Sequence, residues 1–435
     1  MSEFAFPADL ADEISALWAE LGAQGTSTPP LPPSPVLRRL VEVAFLASLV
    51  TEEGRALAFT LCCTPEGAVV RRPAGGGEVE AIGLQSDRLY DVTELRRLAV
   101  ATNPTGGALW IQFAEADEPL RIHGLLNLGL SWEMAHMGLS NRLEPMPDAL
   151  ILHVDGPGAI TVLVNQAAVL TLSNGRIQRP RTIINPSRGR SRFFQDGVGA
   201  LYERLAAEGG ATAPEARALL EHTYIRVLRT IVTGIRELGH GGAVVIAGAE
   251  SPALDPARAL VRPRYPTDRP LPLLAEHVLR TVTLRLALLA GPSEACLERQ
   301  AIALELRAAG FHLIEAANMI TSLSGTDGAI VLQSDLGLLG FGAEIAVEPR
   351  LPSPVLEYME GAEARPVDPE RFGMRHRSAL WLVATAPDTS VFVVSQDGNV
   401  SFAFSYEGQA YLIPRLEPLR FAAESAWDMT RERAD

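Results

Sequence analysis

The sequence predicts an α/β protein with two globular domains, and three observations support this prediction. Short runs of β-branched and apolar residues, typical of strands, alternate with amphipathic helical segments along the chain. With 435 residues, 47% of them hydrophobic, the chain can form two ordinary cores. Residues 251–272 hold six prolines and little periodicity. We therefore expect a domain boundary there.

The N-terminal elements are predicted from apolar spacing and proline content. Ile14, Leu17, Trp18 and Leu21 share one helical face, which predicts an amphipathic helix over residues 9–21. Residues 25–35 contain five prolines, which lack a backbone donor and fix φ. Residues 1–35 are therefore predicted to form a helical arm and a proline-rich linker.

Residues 36–260 are predicted to form an α/β domain with a sensor-like role. The same criteria give helices at 36–50, 193–207 and 214–238. Strands are predicted at 57–62, 108–113, 120–128, 149–154, 159–164, 169–172 and 243–247. We expect the strands between residues 108 and 172 to share one sheet.

Residues 270–420 are predicted to form the second domain, a mixed sheet flanked by helices, followed by a tail over 421–435. Helices are expected at 273–289, 293–309 and 313–323, and strands at 329–333, 337–343, 390–395 and 399–404. The glycine-rich run 337–342 lacks the G-x-G-x-x-G spacing of a dinucleotide loop. It is predicted to be a strand that passes close to neighbouring backbone.

Charge and cysteine content exclude several classes of protein. The chain has 38 basic and 52 acidic residues, a formal net charge of -14, which argues against sequence-independent nucleic-acid binding. Three cysteines, Cys62, Cys63 and Cys296, form neither a disulfide framework nor a metal-binding set. The N-terminus lacks the pattern of a signal peptide, and the apolar runs are too short to span a bilayer. We expect a cytoplasmic protein without a membrane partner.

Two short motifs in the second domain carry candidate chemistry. Gly325 to Ala329 reads Gly-Thr-Asp-Gly-Ala, which sets the Asp327 carboxylate in a glycine turn. Gly373 to Arg377 reads Gly-Met-Arg-His-Arg, a cluster of cationic side chains before a helix predicted over residues 378–384. A carboxylate can hold a divalent metal ion, and a cationic cluster at a helix start can hold phosphates. Together, the carboxylate and the cationic cluster are the smallest set of groups needed to bind a nucleoside triphosphate with its metal ion.

The order of these motifs resembles the diadenylate cyclase domain of bacterial DNA-integrity-scanning proteins. The resemblance covers residues 273–414: helix, Gly-Thr-Asp-Gly-Ala, a glycine-rich return strand, Arg-His-Arg opening a helix, and Val-Val-Ser before a turn. It implies that two ATP molecules are condensed into cyclic di-AMP and pyrophosphate between two facing domains, and hence a homodimer or larger symmetric oligomer.

The resemblance also assigns roles to individual residues. Asp327 would be catalytic and, with Asp397, would bind Mg²⁺ or Mn²⁺. The residues implied in nucleotide binding are Gly328, Ala329, Arg375, His376, Arg377 and Ser395.

Two departures from the family pattern leave a second function open. Met374 stands where the family usually has a small hydroxyl residue, and Gln396 begins the stretch where it has an acidic pair. The alternative is a catalytically impaired, cyclase-derived sensor that binds the nucleotide. Taken singly, the motifs have simpler interpretations: Asp327-Gly328 as a strand-entry turn, and residues 375–377 as a solvated charge run.

Other polar groups are interpreted as structural. His123, His136 and His153 lack the spacing of a metal site, and Cys62 and Cys63 are expected to be buried. The basic stretch 187–192, with Arg176, Arg179 and Arg181 before it, is predicted to be a solvated loop, with an anion contact as the alternative.

A faint internal repeat is a further hypothesis. Residues 106–112, 120–128 and 159–165 parallel residues 327–333, 338–345 and 391–395. Gly106 stands at the position of Asp327, and nothing like Arg-His-Arg lies between the last two segments of the first set. A degenerate duplicate would keep the sheet and lose the metal ligand, whereas chance similarity of strand-loop-strand units would also explain the pattern.

Overall fold

The computed structural model divides into two compact units, Met1–Arg181 and Thr182–Asp435. It describes residues 4–23, 28–52, 54–68, 70, 79–102, 107–114, 119–128, 149–164, 167–173, 175–178, 192–208, 214–290, 297–348, 354–358, 364–396, 398–406 and 408–416. Both units are mixed α/β, as predicted.

The first unit is an eight-stranded sheet covered by helices. Its helices are α1 (Pro7–Ala23), α2 (Ser34–Ser48) and α3 (Val92–Ala99). Its strands are β1 (Thr51–Glu52), β2 (Arg55–Ala56), β3 (Phe59–Pro65), β4 (Glu80–Leu89), β5 (Gly107–Phe113), β6 (Arg121–Asn127), β7 (Leu150–Gly156), β8 (Ala159–Val164), β9 (Ala167–Ser173) and β10 (Arg176–Gln178). The sheet order is β10-β9-β8-β7-β3-β5-β6-β4, and β1 and β2 form a separate hairpin. The single sheet expected from the sequence is confirmed.

The N-terminal helix belongs to the core of the first unit, which corrects its prediction as a separate arm. Leu10, Ile14 and Trp18 of α1 are buried in one cluster with α2 and the sheet. The Trp18 indole Nε1 donates a hydrogen bond to the Pro29 carbonyl oxygen at 2.8 Å, which fixes the proline-rich stretch against α1. The apolar face that predicted this helix is the face that it buries.

The second unit is a ten-stranded sheet between two helical layers. Its helices are α4 (Arg192–Ala207), α5 (Pro214–Glu237), α6 (Leu273–Ala290), α7 (Leu297–Ser322) and α8 (Met374–Thr385), with 3₁₀ turns at Leu323–Gly325 and Pro369–Arg371. Its strands are β11 (Gly242–Ala247), β12 (Val261–Arg262), β13 (Tyr265–Leu271), β14 (Ala329–Gln333), β15 (Leu338–Ile345), β16 (Leu356–Glu357), β17 (Arg365–Pro366), β18 (Thr389–Val394), β19 (Val400–Tyr406) and β20 (Gln409–Leu416). The order is β12-β15-β14-β11-β18-β19-β20-β16-β17, with β13 also paired to β15.

Alternating side chains divide the core of the second unit between the two faces of its sheet. Val244 and Ile246 of β11 pack with α4 to α7, whereas Ala243 and Val245 pack with α8. Since both faces are covered, the central strands are apolar along most of their length, which makes them easy to recognise in the sequence. None of the helices in the described part of the chain is long and apolar enough to cross a membrane.

The structure places the division between units earlier than residues 251–272. Helices α4 and α5 belong to the second unit, and β11 lies at the centre of its sheet between β14 and β18. The prolines at 251–272 lie in the connection from β11 to the edge strands β12 and β13, where proline is tolerated because one side of the strand is unpaired. The helices predicted at 293–309 and 313–323 are one helix, α7.

The two units share a strand topology. In the first, β3 pairs in parallel with β5 and antiparallel with β7; in the second, β11 pairs in parallel with β14 and antiparallel with β18. On the side of the parallel pair, the first sheet continues with β6 and β4 and the second with β15 and β13. On the side of the antiparallel pair, the first sheet continues with β8 and β9 and the second with β19 and β20. This agrees with the hypothesis of an internal repeat, with one correction: the counterpart of β18 is β7, not β8.

The agreement extends to the register of the strands. Trp110 of β5 faces Gly124, and Val331 of β14 faces Gly340, with a register shift directly after each pair. A Cβ on Gly340 would lie 2.7 Å from the Tyr265 carbonyl oxygen of β13, and one on Gly124 would collide with the Ile82 carbonyl oxygen of β4. The same close approach of backbone therefore requires glycine at the same place in both sheets.

Candidate functional site

Asp327 lies at the entry to β14, in a turn that requires glycine at position 328. The turn begins with the 3₁₀ segment Leu323–Gly325, and Asp327 is exposed to solvent. Gly328 has φ +117°, and a Cβ on it would lie 2.7 Å from the Ala343 nitrogen and closer still to the Gly342 carbonyl carbon. No other residue fits this position, since both the backbone angle and the space exclude a side chain. Ala329, next along, is buried and pairs with Ala343.

Arg375 reaches the same edge of the sheet from helix α8. Ala243 of β11 is the register partner of Ala329, and Gly242 is the partner of Val394, so β11 and β14 begin where β18 ends. The Arg375 Nη1 lies 3.0 Å from where a Cβ on Gly241 would be. The exposed Arg375 and Asp327 are thus brought to one end of the sheet, beside the first residues of adjacent strands.

The three cationic residues of the second motif point to different neighbours. All three lie in the first turn of α8, which begins at Met374 rather than at residue 378. The His376 Nε2 lies 3.1 Å from the Ser401 Oγ on β19, and its ring lies against Phe372. The Arg377 Nη1 donates to the Glu370 Oε2 at 2.7 Å. Because successive helix positions are about 100° apart, consecutive residues diverge.

The turn after β18 contributes backbone groups to this edge. The Ser395 N–H donates to the Asn399 carbonyl oxygen at 2.8 Å, and the Ser395 carbonyl oxygen accepts from the Gly398 N–H at 3.0 Å. The Gln396 nitrogen lies 3.1 Å from the Cβ position of Gly241, next to the Arg375 guanidinium. Asp397, the second predicted metal ligand, lies outside the described residues.

Sequence reasoning missed two features next to Asp327. Gly241 has φ +67°, and any side chain there would crowd Arg375 and Gln396. On the other side, Tyr265 of β13 stacks on Phe341 of β15 with ring centroids 4.9 Å apart. A Cβ on Gly342 would lie 3.3 Å from the Tyr265 ring and 3.4 Å from the Asp327 carbonyl oxygen. The glycine pair Gly241-Gly242 was visible in the sequence, but its position between β14 and β18 was not.

The predicted metal ion is compatible with the donor set at this edge. Among the described residues, no group of three or more His, Cys, Asp and Glu side chains is placed to hold a metal ion. Mg²⁺ does not need such a group, because it retains waters and binds one or two carboxylates together with substrate phosphates. The exposed Asp327 carboxylate suits a metal ion that arrives with a triphosphate.

The remaining predicted polar groups have structural contacts. The buried His153 Nδ1 lies 2.8 Å from the Thr60 Oγ1, and the His123 Nδ1 lies 3.0 Å from the Asp87 Oδ1. Cys62 and Cys63 are buried and unbonded to each other, as predicted, and burial raises the pKa of Cys62 to about 12. Arg176 is exposed, whereas His136, Cys296, Arg179, Arg181 and residues 187–191 lie outside the described part.

A group of basic, largely buried side chains inside the second unit was not predicted. His222, Arg226 and Arg229 follow one face of α5 at helical spacing, and Arg285 of α6 lies near Arg226. Desolvation by burial, followed by repulsion from neighbouring arginines, lowers the pKa of His222 to about 3, of Arg226 to about 10 and of Arg285 to about 9. This group lies within the helical layer.

Comparison with known proteins assigns part of the first unit. Residues 26–127 match the sequence model of a family described as "Probable sensor domain DACNV". The match runs from the proline-rich stretch to the end of β6. A solved structure of a double mutant of DacA from Staphylococcus aureus is similar over 48% of this chain and 95% of that chain, with 14% sequence identity and a TM-score of 0.23. No curated protein matches the sequence.

Proposed function

We propose that the second unit binds ATP at the edge formed by Asp327 and Arg375 and condenses two ATP molecules into cyclic di-AMP, under the control of the sensor-like first unit. The observation that carries the proposal is the placement of these two side chains beside the starts of adjacent strands, β14 and β11. A carboxylate and an exposed guanidinium at one sheet edge suit a metal-bound triphosphate.

The proposed chemistry needs two copies of the edge facing each other. Each ATP 3'-oxygen forms a bond to the α-phosphorus of the other ATP, and the bond from that phosphorus to the bridging oxygen of the leaving pyrophosphate breaks. Two pyrophosphates and two protons are released. One ATP bound to a single domain cannot complete the ring, so a homodimer or larger symmetric oligomer is part of the proposal.

The chain's own residues would bind and orient the nucleotide. Arg375 would bind phosphate oxygens in a bidentate manner, and the N-cap Gly373 provides no side-chain cap, which leaves the first N–H groups of α8 for the same anion. Asp327 would hold Mg²⁺ or Mn²⁺ together with phosphate oxygens. When bound, that ion would favour ionisation of the attacking 3'-hydroxyl and stabilise charge on the phosphate. The Tyr265 and Phe341 rings would offer a stacking surface for the planar base.

A second candidate function is a nucleotide-binding sensor that has lost turnover. Met374 occupies the first position of α8 with an exposed thioether instead of a hydroxyl group. His376 and Arg377 have intramolecular contacts with Ser401 and Glu370. These observations favour a site that binds the nucleotide but places fewer side chains of the Arg-His-Arg motif on the reacting phosphates.

An assay of the full chain with ATP and either Mg²⁺ or Mn²⁺ separates the two functions. We expect one cyclic di-AMP and two pyrophosphates for every two ATP consumed. Asp327→Asn should lower this activity by at least about 100-fold, because the metal ligand is removed. Asp268→Asn is the matched control, since Asp268 is an exposed carboxylate of β13. Tight ATP binding without product in either metal would establish the sensor instead. Absence of ATP binding would refute both.

A further inference from the structure

The helical hairpin α6–α7 is larger than the shared fold requires. The first unit makes the corresponding connection, from β4 to β5, with the 8-residue helix α3, whereas the second unit uses helices of 18 and 26 residues. The buried residues of α6 lie between Leu274 and Val282, and those of α7 between Ala309 and Thr321. In the distal halves, residues 283–290 and 297–308, no described residue is buried. Leu286, partly buried, packs against the core cluster, so the distal hairpin adds little to the core.

Helix α7 is apolar on two opposite sides in its distal half. The inner side, with Ile302 and Leu306, is partly buried toward α6, and the Arg299 Nη1 donates to the Leu288 carbonyl oxygen at 3.0 Å. The outer side is exposed and consists of five apolar residues spaced by four, three, four and three positions: Leu297, Ala301, Leu304, Ala308 and Phe311. Leu297 is 82% exposed, Leu304 66% and Phe311 44%. We call these five residues the outer stripe.

The spacing of the outer stripe is that of a coiled-coil seam. Apolar residues alternating at three and four positions face one partner helix, and the alternation of large residues with alanine lets the partner approach closely. A helix that is apolar on both sides normally has a second neighbour. The outer stripe therefore indicates a helical partner rather than a flat surface or a small ligand.

The stripe is complementary to a second copy of itself. It reads nearly the same in both directions about Leu304, so an antiparallel twofold pair places Leu297 opposite the partner's Phe311 and Ala301 opposite the partner's Ala308. Among the flanking side chains, Glu298 comes near the partner's His312, whereas Glu305 comes near its own copy in the partner. A self-complementary surface is the requirement for a twofold interface.

We propose that two copies of this protein associate through the outer stripe of α7, as an antiparallel helix pair with the twofold axis near Leu304. This interface is separate from the nucleotide edge and does not depend on the proposed function. The stripe spans about 21 Å of helix, from 14 steps of about 1.5 Å. Because such a contact is small, we expect association to depend on protein concentration.

Sedimentation velocity of the nucleotide-free full chain tests the interface. We expect reversible association between micromolar and hundred-micromolar concentrations, and at least a tenfold weaker association for Leu304→Lys, which places two like charges at the axis. Met319→Lys is the control, because Met319 is 59% exposed on the same helix but lies about two turns beyond Phe311, past the end of the outer stripe. A monomer at every concentration, or equal effects of the two variants, would overturn the proposal.

Disulfide cross-linking tests the antiparallel register in a Cys296→Ser background, which removes the thiol next to α7 in sequence. Leu304→Cys should cross-link to its own copy, because it lies near the axis. Leu297→Cys alone should not, but should cross-link when mixed with Phe311→Cys. Cross-linking of Leu297→Cys to itself would indicate a parallel pair and overturn the proposed geometry. Neither experiment contains ATP, so a negative cyclase assay leaves the outcome unaffected.

Discussion

The two sheets of this protein share the order of their central strands but differ at the edge where the candidate site lies. Trp110 of β5 and Val331 of β14 occupy equivalent positions in the two sheets. Four residues before each, the sequence has Gly106 in the first unit and Asp327 in the second. The exposed Ile82 of β4 corresponds to Tyr265, which stacks on Phe341. The common fold therefore does not require the carboxylate or the aromatic stack. Residues that are present in one copy of a fold, absent from the other and not required by the fold are candidates for function.

The largest effect on stability is expected when the equivalent glycines of the two sheets, Gly340 and Gly124, are replaced. Gly340→Ala and Gly124→Ala should each destabilise their own unit by roughly 2 to 4 kcal/mol, because the new Cβ meets the backbone of the third strand. Hydrogen exchange of peptides from β14–β15 and β5–β6 would report each unit separately. Gly83→Ala is the control, since a Cβ there meets nothing within 4 Å. If Gly124→Ala is as well tolerated as Gly83→Ala, the two sheets are not equivalent.

Acid should destabilise the second unit through His222. Burial and the nearby arginines lower the pKa of His222 to about 3, so the unfolded chain takes up a proton that the folded unit excludes. Stability of this unit should be complete above about pH 6.5 and fall by roughly 2 to 4 kcal/mol as the pH drops toward 3. Denaturant unfolding at several pH values, with His222→Asn as reference, measures the effect. An unchanged pH slope in the variant would show that other groups are responsible.

Arg375 and Arg377 should differ in their contribution to ATP binding. Arg375→Ala should weaken ATP binding by about 10- to 100-fold, since an exposed guanidinium that binds phosphate is worth about 1.5 to 3 kcal/mol. Arg377→Ala should cost about threefold or less, because this side chain pairs with Glu370. Calorimetric titration with ATP in the presence of Mg²⁺ gives both values. Equal losses would mean that Arg377 leaves Glu370 when the nucleotide binds.

The smallest effect should come from the aromatic stack. Tyr265→Ile installs the residue that the first unit carries at the corresponding position, and should weaken ATP binding by about 3- to 10-fold through the loss of about 0.5 to 1.5 kcal/mol of stacking. Tyr265→Phe keeps the ring and should bind normally. If the isoleucine variant binds ATP as tightly as the parent, the base does not stack at this place.

The sequence predicted most elements whose hydrophobic pattern is strong. The buried strands of both sheets except β20, and the helices α1, α2, α4, α5 and α6, are predicted within a few residues of their bounds. Strand β4 and helix α3 were missed: β4 is exposed along most of its length and has no apolar alternation, and α3 is short. Strand β13 was missed because its prolines suggested a linker, although at an unpaired edge they are compatible with a strand.

What the sequence determined by itself was the local chemistry: a carboxylate in a glycine turn, and three basic residues at a helix start. Only the tertiary structure decided which of these groups share one edge. Strand β11 enters between β14 and β18 from a distant part of the chain and brings Gly241 beside Arg375, while the helical rotation turns His376 and Arg377 toward Ser401 and Glu370. Local pattern fixes conformation over a few residues, whereas the position of a side chain in a site depends on pairings between segments far apart in sequence.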